Sequence, residues 1–153
     1  MRRSSEDLAN DQPQASRDLS WLLDDLVGRV EEVRQAVLLS RDGLVMGASA
    51  SVTRQDAEFL AALSAGLQSL ADGARQHFRA ERVQQTFVEL DSRLFFVVPA
   101  GKGSCLAILS DAGRNAGLVA YETAMLIKRV RRQMATAPRP AAQFADPSSP
   151  PAP

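Results

Sequence analysis

Cysteine and histidine each occur once in this chain and lysine twice, beside sixteen arginines. A lone Cys105 forms no intrachain disulfide, and a lone His77 with no second sulfur or imidazole gives no basis for a zinc cluster, so neither a disulfide framework nor a metal is expected and no cofactor is implied. An excess of one charge is missing too: 18 Lys and Arg balance 18 Asp and Glu, for a formal net charge of zero. Without a global positive field, binding to nucleic acid or to an anionic membrane is not expected. Long apolar runs are absent as well. The run Gly117 to Tyr121 is broken by Glu122 and then Lys128, short of the roughly 20 residues a membrane span requires. The polar stretch Ser4 to Asp18 after Arg2 and Arg3 holds no apolar core of a secretory signal. A cytoplasmic protein without direct membrane insertion is the expectation.

What is present is the composition of one globular domain, 45% hydrophobic and 24% charged over 153 residues. Its ends differ from its middle. Residues 1–17 are polar and aperiodic, and residues 136–153 hold six of the eight prolines, so both are read as disordered tails around a folded domain at 18–135. Pro147-Ser-Ser-Pro150 fits a P-x-x-P pattern, but such a composition buries too little apolar area to fold and is read as a solvated extension with no binding role.

Within the domain, Leu19, Leu22, Leu23, Leu26, Val27 and Val30 recur at three- and four-residue steps and predict an amphipathic helix with Asp24, Asp25 and Arg29 outward. Apolar runs at 33–40 and 44–48 flank Arg41-Asp42-Gly43 and predict an antiparallel hairpin whose turn uses a glycine at positive φ. Thr53, three residues before Asp56, is placed to cap a long helix over 54–79. Runs at 83–90, 93–99 and 105–110 predict a meander. In Leu94 to Val98 and Cys105 to Leu109 both alternating faces are apolar, which calls for a layer on each side of the sheet. A last helix over about 115–134 turns Val119, Leu126, Ile127, Val130 and Met134 inward, with Arg129, Arg131 and Arg132 near its end where they complement the helix dipole. The order is α-β-β-α-β-β-β-α, an α+β fold.

Few residues offer chemistry. Ala100-Gly101-Lys102-Gly103-Ser104 contains a fragment of a phosphate-loop pattern, but that motif needs a glycine five residues before its Gly-Lys pair and a helix after it. Position 96 is Phe and a strand follows, so a hairpin turn is expected. His77 stands at no recognisable triad spacing and reads as a surface or interface side chain. Cys105, inside an apolar strand, reads as a buried and inert thiol. No residue is assigned to catalysis.

The second helix says more. Leu60, Leu67, Ala71, Ala74 and Phe78 form a stripe suited to the sheet, and Phe59, Ala62, Leu63, Gly66, Leu70, Gly73 and His77 form another beside it. Glycine inside a helix costs about 1 kcal/mol relative to alanine, so Gly66 and Gly73, two turns apart, point to close backbone approach by the same helix of a second subunit across a twofold axis. The strand at 83–90, with Gln84, Thr86 and Val88 on one face, is expected at a sheet edge and paired with its twin, since an open edge of that length invites aggregation.

Taken together, Leu19-Ser-Trp-Leu-Leu-Asp-Asp-Leu-Val27, Val37-Leu-Leu-Ser-Arg-Asp-Gly-Leu44, Ala65-Gly-Leu-Gln-Ser-Leu-Ala71 and Gly117-Leu-Val-Ala-Tyr-Glu122 resemble the bacterial roadblock/LC7 domain, in particular the roadblock component of actinomycete conservon operons. The resemblance spans about 19–133. It implies a profilin-like, five-stranded antiparallel sheet with the long second helix on one face and the first and last helices on the other. It further implies a homodimer formed through the third strand and second helix, and a non-catalytic platform for a Ras-like small GTPase, whose GTP hydrolysis some bacterial members stimulate. Conservon operons also encode a sensor histidine-kinase-like protein, so a membrane-proximal signalling complex is the implied setting. Some GTPase-activating relatives contact the GTPase through a C-terminal extension, whereas the extension after Met134 is proline-rich here. Two other readings compete. A small-molecule sensor of PAS or GAF type shares a sheet flanked by helices but needs a cavity with fixed polar groups, which strands rich in Leu, Val, Phe and Ile do not supply. An enzyme would have only His77, Cys105 and scattered carboxylates to draw on.

Overall fold

The computed structural model describes residues 14–101, 103–112 and 116–136. Helix α1 (Gln14–Arg29) is followed by a hairpin of β1 (Val33–Ser40) and β2 (Val45–Ala48), then by the long α2 (Arg54–His77). Strands β3 (Thr86–Glu89), β4 (Arg93–Gly101) and β5 (Ser104–Asp111) form a meander, and α3 (Ala116–Thr136) ends the fold. Helix α1 starts inside the stretch expected to be unstructured, while the remaining tail residues, 1–13 and 137–153, lie outside the described ones.

The five strands form one antiparallel sheet in the order β2-β1-β5-β4-β3. Its register is visible in one row: Ala48 lies opposite Val37, Val37 opposite Ala107, Ala107 opposite Val97, and Val97 opposite Thr86. This row faces α2. Leu39, Phe95 and Cys105 lie on the same side and pack with Ala57, Leu60 and Ala61 of α2. The opposite side presents Leu38, Phe96, Leu106 and Ile108 to Leu23, Leu26, Leu126 and Val130 of α1 and α3. The apolar character of both strand faces thus corresponds to two cores, as alternation in a sheet covered on both sides requires.

Local chemistry fixes the joints. Gly43, at φ +85°, turns the β1–β2 hairpin, and a Cβ there would meet Ala65 Cβ at 3.4 Å. Thr53 caps α2 by accepting the Asp56 amide on its hydroxyl at 3.2 Å. At the other end α2 stops at His77, not Arg79, because Arg79 adopts φ +57° and unwinds the chain there.

Three sequence expectations need correction. Strand β3 covers four residues instead of eight. Leu90 belongs to the next turn, its amide donating to the Arg93 carbonyl at 2.8 Å. Carrying the β3–β4 register back places Gln84 opposite Pro99, which has no N–H to extend a ladder. The sheet-facing stripe of α2 also differs: Ala57, Leu60, Ala61 and Ser64 are buried and Leu67 and Ala71 half-buried, but Ala74 and Phe78 are exposed because the helix has run past the core by then. Finally, α3 continues to Thr136 and its last turn holds no basic residue, so Arg129, Arg131 and Arg132 lie short of the helix terminus. Arg129 donates instead to the Asp25 carboxylate on α1 at 2.7 Å.

Candidate interaction surface

The groups singled out for possible chemistry lie in a turn, a buried strand and a helix end. Gly101 and Gly103, at φ +96° and +75°, make the tight turn between β4 and β5, and Ser104 Oγ donates back to the Gly101 carbonyl at 2.5 Å. No helix follows this loop, so it has no dipole to aim at a phosphate. Burial pushes the Cys105 thiol above its ordinary value, with the positive charge of Arg41 opposing. His77 is exposed at the end of α2 and sets its ring edge-on to Phe78, centroids 5.0 Å apart. Among the described residues no group of three or more His, Cys, Asp or Glu is placed to hold a metal ion. No described helix is long and apolar enough to cross a membrane.

The second stripe of α2 is a surface feature throughout. Phe59 and Leu70 are 66% and 74% exposed, and Ala62, Leu63, Gly66, Gly73 and His77 are exposed along the same side. Together with Phe78, 77% exposed, they leave large apolar side chains in water over the full length of the helix. Among the described residues a Cβ added at Gly66 or Gly73 would meet nothing within 4 Å, so no packing there requires either glycine. Asp72 stiffens the far end of this helix. It accepts from Arg75 Nε at 2.6 Å and from the Gln76 side-chain amide at 3.2 Å, and the Arg75 guanidinium holds its carboxyl below the usual range.

Beside this stripe lies β3, the last strand of the sheet, whose outer backbone groups face no strand among the described residues. Of the residues assigned to that edge, Gln84 precedes the strand and is exposed, while Thr86 and Val88 are half-buried and turned toward the α2 layer. What β3 offers outward is therefore backbone, together with Phe87 on the other face, stacked on Phe96 at 6.2 Å.

The helix pair α1/α3 carries a second exposed surface that periodicity did not single out. Asp25 accepts from Arg129 at 2.7 Å and from Arg29 at 2.9 Å, and these bonds, the one from Arg129 foremost, hold its carboxyl below the ordinary value. The same Arg129 guanidinium lies over the Trp21 ring, 5.6 Å from its centroid. Trp21, Leu118, Tyr121 and Met125 are exposed on this pair. Trp21 interrupts the polar side of its helix, which is the one trace of this surface that the sequence bears.

Comparison with known proteins agrees with this architecture. A sequence model of the family described as Roadblock/LC7 domain matches residues 19–110. A roadblock/LC7 domain from Streptomyces avermitilis is 44% identical, with 76% of this chain and 98% of that one covered at a TM-score of 0.73. A second Streptomyces domain of the same description is 39% identical over 77% and 99%, at a TM-score of 0.61. MglB of Myxococcus xanthus shares the fold at 15% identity and a TM-score of 0.75, covering 84% of this chain and 96% of its own. No curated protein is matched. The five-stranded order, with one long helix on one face and two on the other, together with these matches, places the chain in the Roadblock/LC7 domain family.

Proposed function

We propose that this protein is a homodimeric, non-catalytic regulator or scaffold for a Ras-like small GTPase in a cytoplasmic bacterial signalling complex. What carries the reading is the exposed apolar stripe of α2 lying beside the open edge of β3. Two copies related by a twofold axis would cover both features at once, joining the sheets edge to edge and laying the α2 helices side by side. Gly66 and Gly73 fit this arrangement. Each costs about 1 kcal/mol of helix stability relative to alanine, gains no contact among the described residues, and would let two helix backbones approach. Membership of the family supports the GTPase as the partner class, and the proline-rich extension supports scaffolding over activation.

The test has two parts. Light scattering of the purified protein at micromolar concentration is expected to return twice the chain mass; a monomer mass sinks the dimer. Calorimetry with a small GTPase encoded beside the gene, in GDP and GTP-analogue states, is expected to show binding, and hydrolysis assays to show turnover only when the GTPase is present. GTP hydrolysis by the isolated protein, or no binding in either state, refutes the regulatory role.

A further inference from the structure

The proposed dimer uses α2 and β3 and leaves the outer surface of α1 and α3, on the opposite face of the sheet, uncovered. Between these helices runs an open groove of about 260 Å³, with buried Leu26 and Leu126 at its base and Tyr121, Met125 and Arg129 along its wall. Trp21, one turn before Asp25, lies just outside this lining, its ring under the Arg129 guanidinium that walls the groove. Tyr121 stands eight residues from Arg129 and thus about 12 Å along α3. Both rings are exposed, Trp21 at 62% and Tyr121 at 61%, and among the described residues neither the indole N–H nor the phenol has a hydrogen-bond partner. Spaced aromatic rings carrying unused donors suit a polyproline II segment, whose flat pyrrolidine rings stack on aromatics and whose carbonyls are left free to accept.

The chain carries such a segment. Residues 137–153 start where α3 ends and contain Pro147-Ser-Ser-Pro150-Pro151-Ala-Pro153. Thr136 is seven residues beyond Arg129, about 10 Å along the helix and on the Trp21 side of the groove. The ten residues 137–146 span up to about 33 Å when extended, so Pro147 reaches back to Trp21 with slack. Four residues of polyproline II cover about 12 Å, the rise along α3 from Arg129, which lies over Trp21, to Tyr121. We propose that the segment Pro147–Pro153 docks in the α1/α3 groove of its own chain, covering Trp21 and Tyr121. This differs from the reading of the tail as a solvated extension. The tail has little apolar area to bury against itself, and the two exposed aromatic rings supply what composition alone could not reveal.

Trp21 is the single tryptophan of the protein, so its fluorescence reports on this groove alone. The comparison is between the wild-type full chain and a full chain carrying Pro147→Ala, Pro150→Ala and Pro151→Ala. Tethering holds the segment at an effective concentration of about 1 mM, enough to half-fill a site of similar affinity, so its release should roughly double the acrylamide quenching constant and move emission to the red. Tyr121→Ser, eight residues from Arg129 on α3, should produce the same rise with the tail intact and no further rise in the proline variant. Far-UV circular dichroism and the thermal midpoint should stay at wild-type values in all of them. Equal quenching in wild type and proline variant overturns the proposal and leaves the groove to another protein. Protection of Trp21 that grows with protein concentration also overturns it, since the tail then sits on a second copy. A Tyr121→Ser effect that persists in the proline variant overturns it as a local disturbance of the helix pair.

Discussion

The two faces of the sheet are covered by unequal means. On one, α1 and α3 lie side by side and bury Leu23, Leu26, Leu126 and Val130 against the strands, tied together by the Asp25–Arg129 bond. On the other, a single helix does the covering, and only its first half is buried: beyond Ser64 its positions are half-buried or exposed. A helix of 24 residues is about 36 Å long, and this one continues past the apolar rows it packs on. One face of the sheet is covered by two helices and the other by the first half of one. The difference separates residues that hold the fold from residues available for assembly, although both sets are apolar and both recur at helical spacing.

That contrast predicts where substitutions act. Leu23→Ala, at a fully buried position of the two-helix face, should lower unfolding stability by about 2–5 kcal/mol in denaturant titration, through lost burial and an unfilled cavity. Leu70→Ala, at a position 74% exposed, should change the stability of a single chain by no more than about 0.5 kcal/mol while weakening association. Equal losses at the two sites would remove the distinction between the faces. Gly66→Leu should shift the light-scattering mass toward one chain, overpacking of a helix contact costing typically about 1–3 kcal/mol. Gly66→Ala sharpens the point by its sign. In an isolated helix it stabilises by about 1 kcal/mol, so a net loss in the assembled protein would report backbone approach at this position.

Smaller effects test the joints. Thr53→Ala removes the hydroxyl that caps α2 and should cost about 1 kcal/mol in the same titration. Asp25 has the weakest and most conditional effect. Its folded-state pKa lies below the ordinary 3.8, chiefly through the Arg129 hydrogen bond, so its contribution is complete above the unfolded-state value and disappears as the pH falls through the folded one. Stability of Asp25→Asn and wild type, measured against pH, should therefore differ at neutrality and converge below pH 3.8.

Much of this organisation can be read from the sequence, and the exceptions share a cause. Element order, the Thr53 cap, the Gly43 turn and the doubly apolar strands depend on residues close in sequence, and the structure realises each. Val83 to Gln85 alternate as a strand does, yet pairing depends on which strand lies alongside, and there it meets Pro99. Ala74 and Phe78 continue the inward stripe of α2, yet whether anything lies beneath them depends on the width of the sheet. Arg129 looks like a dipole partner until α1 brings Asp25 and Trp21 beside it. The α2 stripe was recognisable because glycines interrupt a good helix. The α1/α3 groove was not, because α1 and α3, at opposite ends of the domain's sequence, lie side by side only through tertiary packing.

The strand order also bears on how the chain assembles itself. Val37 pairs with Ala107, so the centre of the sheet joins β1 to β5 with β2, α2, β3 and β4 lying between them in sequence. Closing so long a loop is an entropic step that local pairing does not require, and non-local contacts of this kind slow folding. The hairpin β1–β2 and the meander β3–β5 are thus two self-contained pieces, each with one unpaired inner edge made to fit the other. A cut in the segment between α2 and β3 would leave the central seam, β1 against β5, as the surface on which the two fragments must meet.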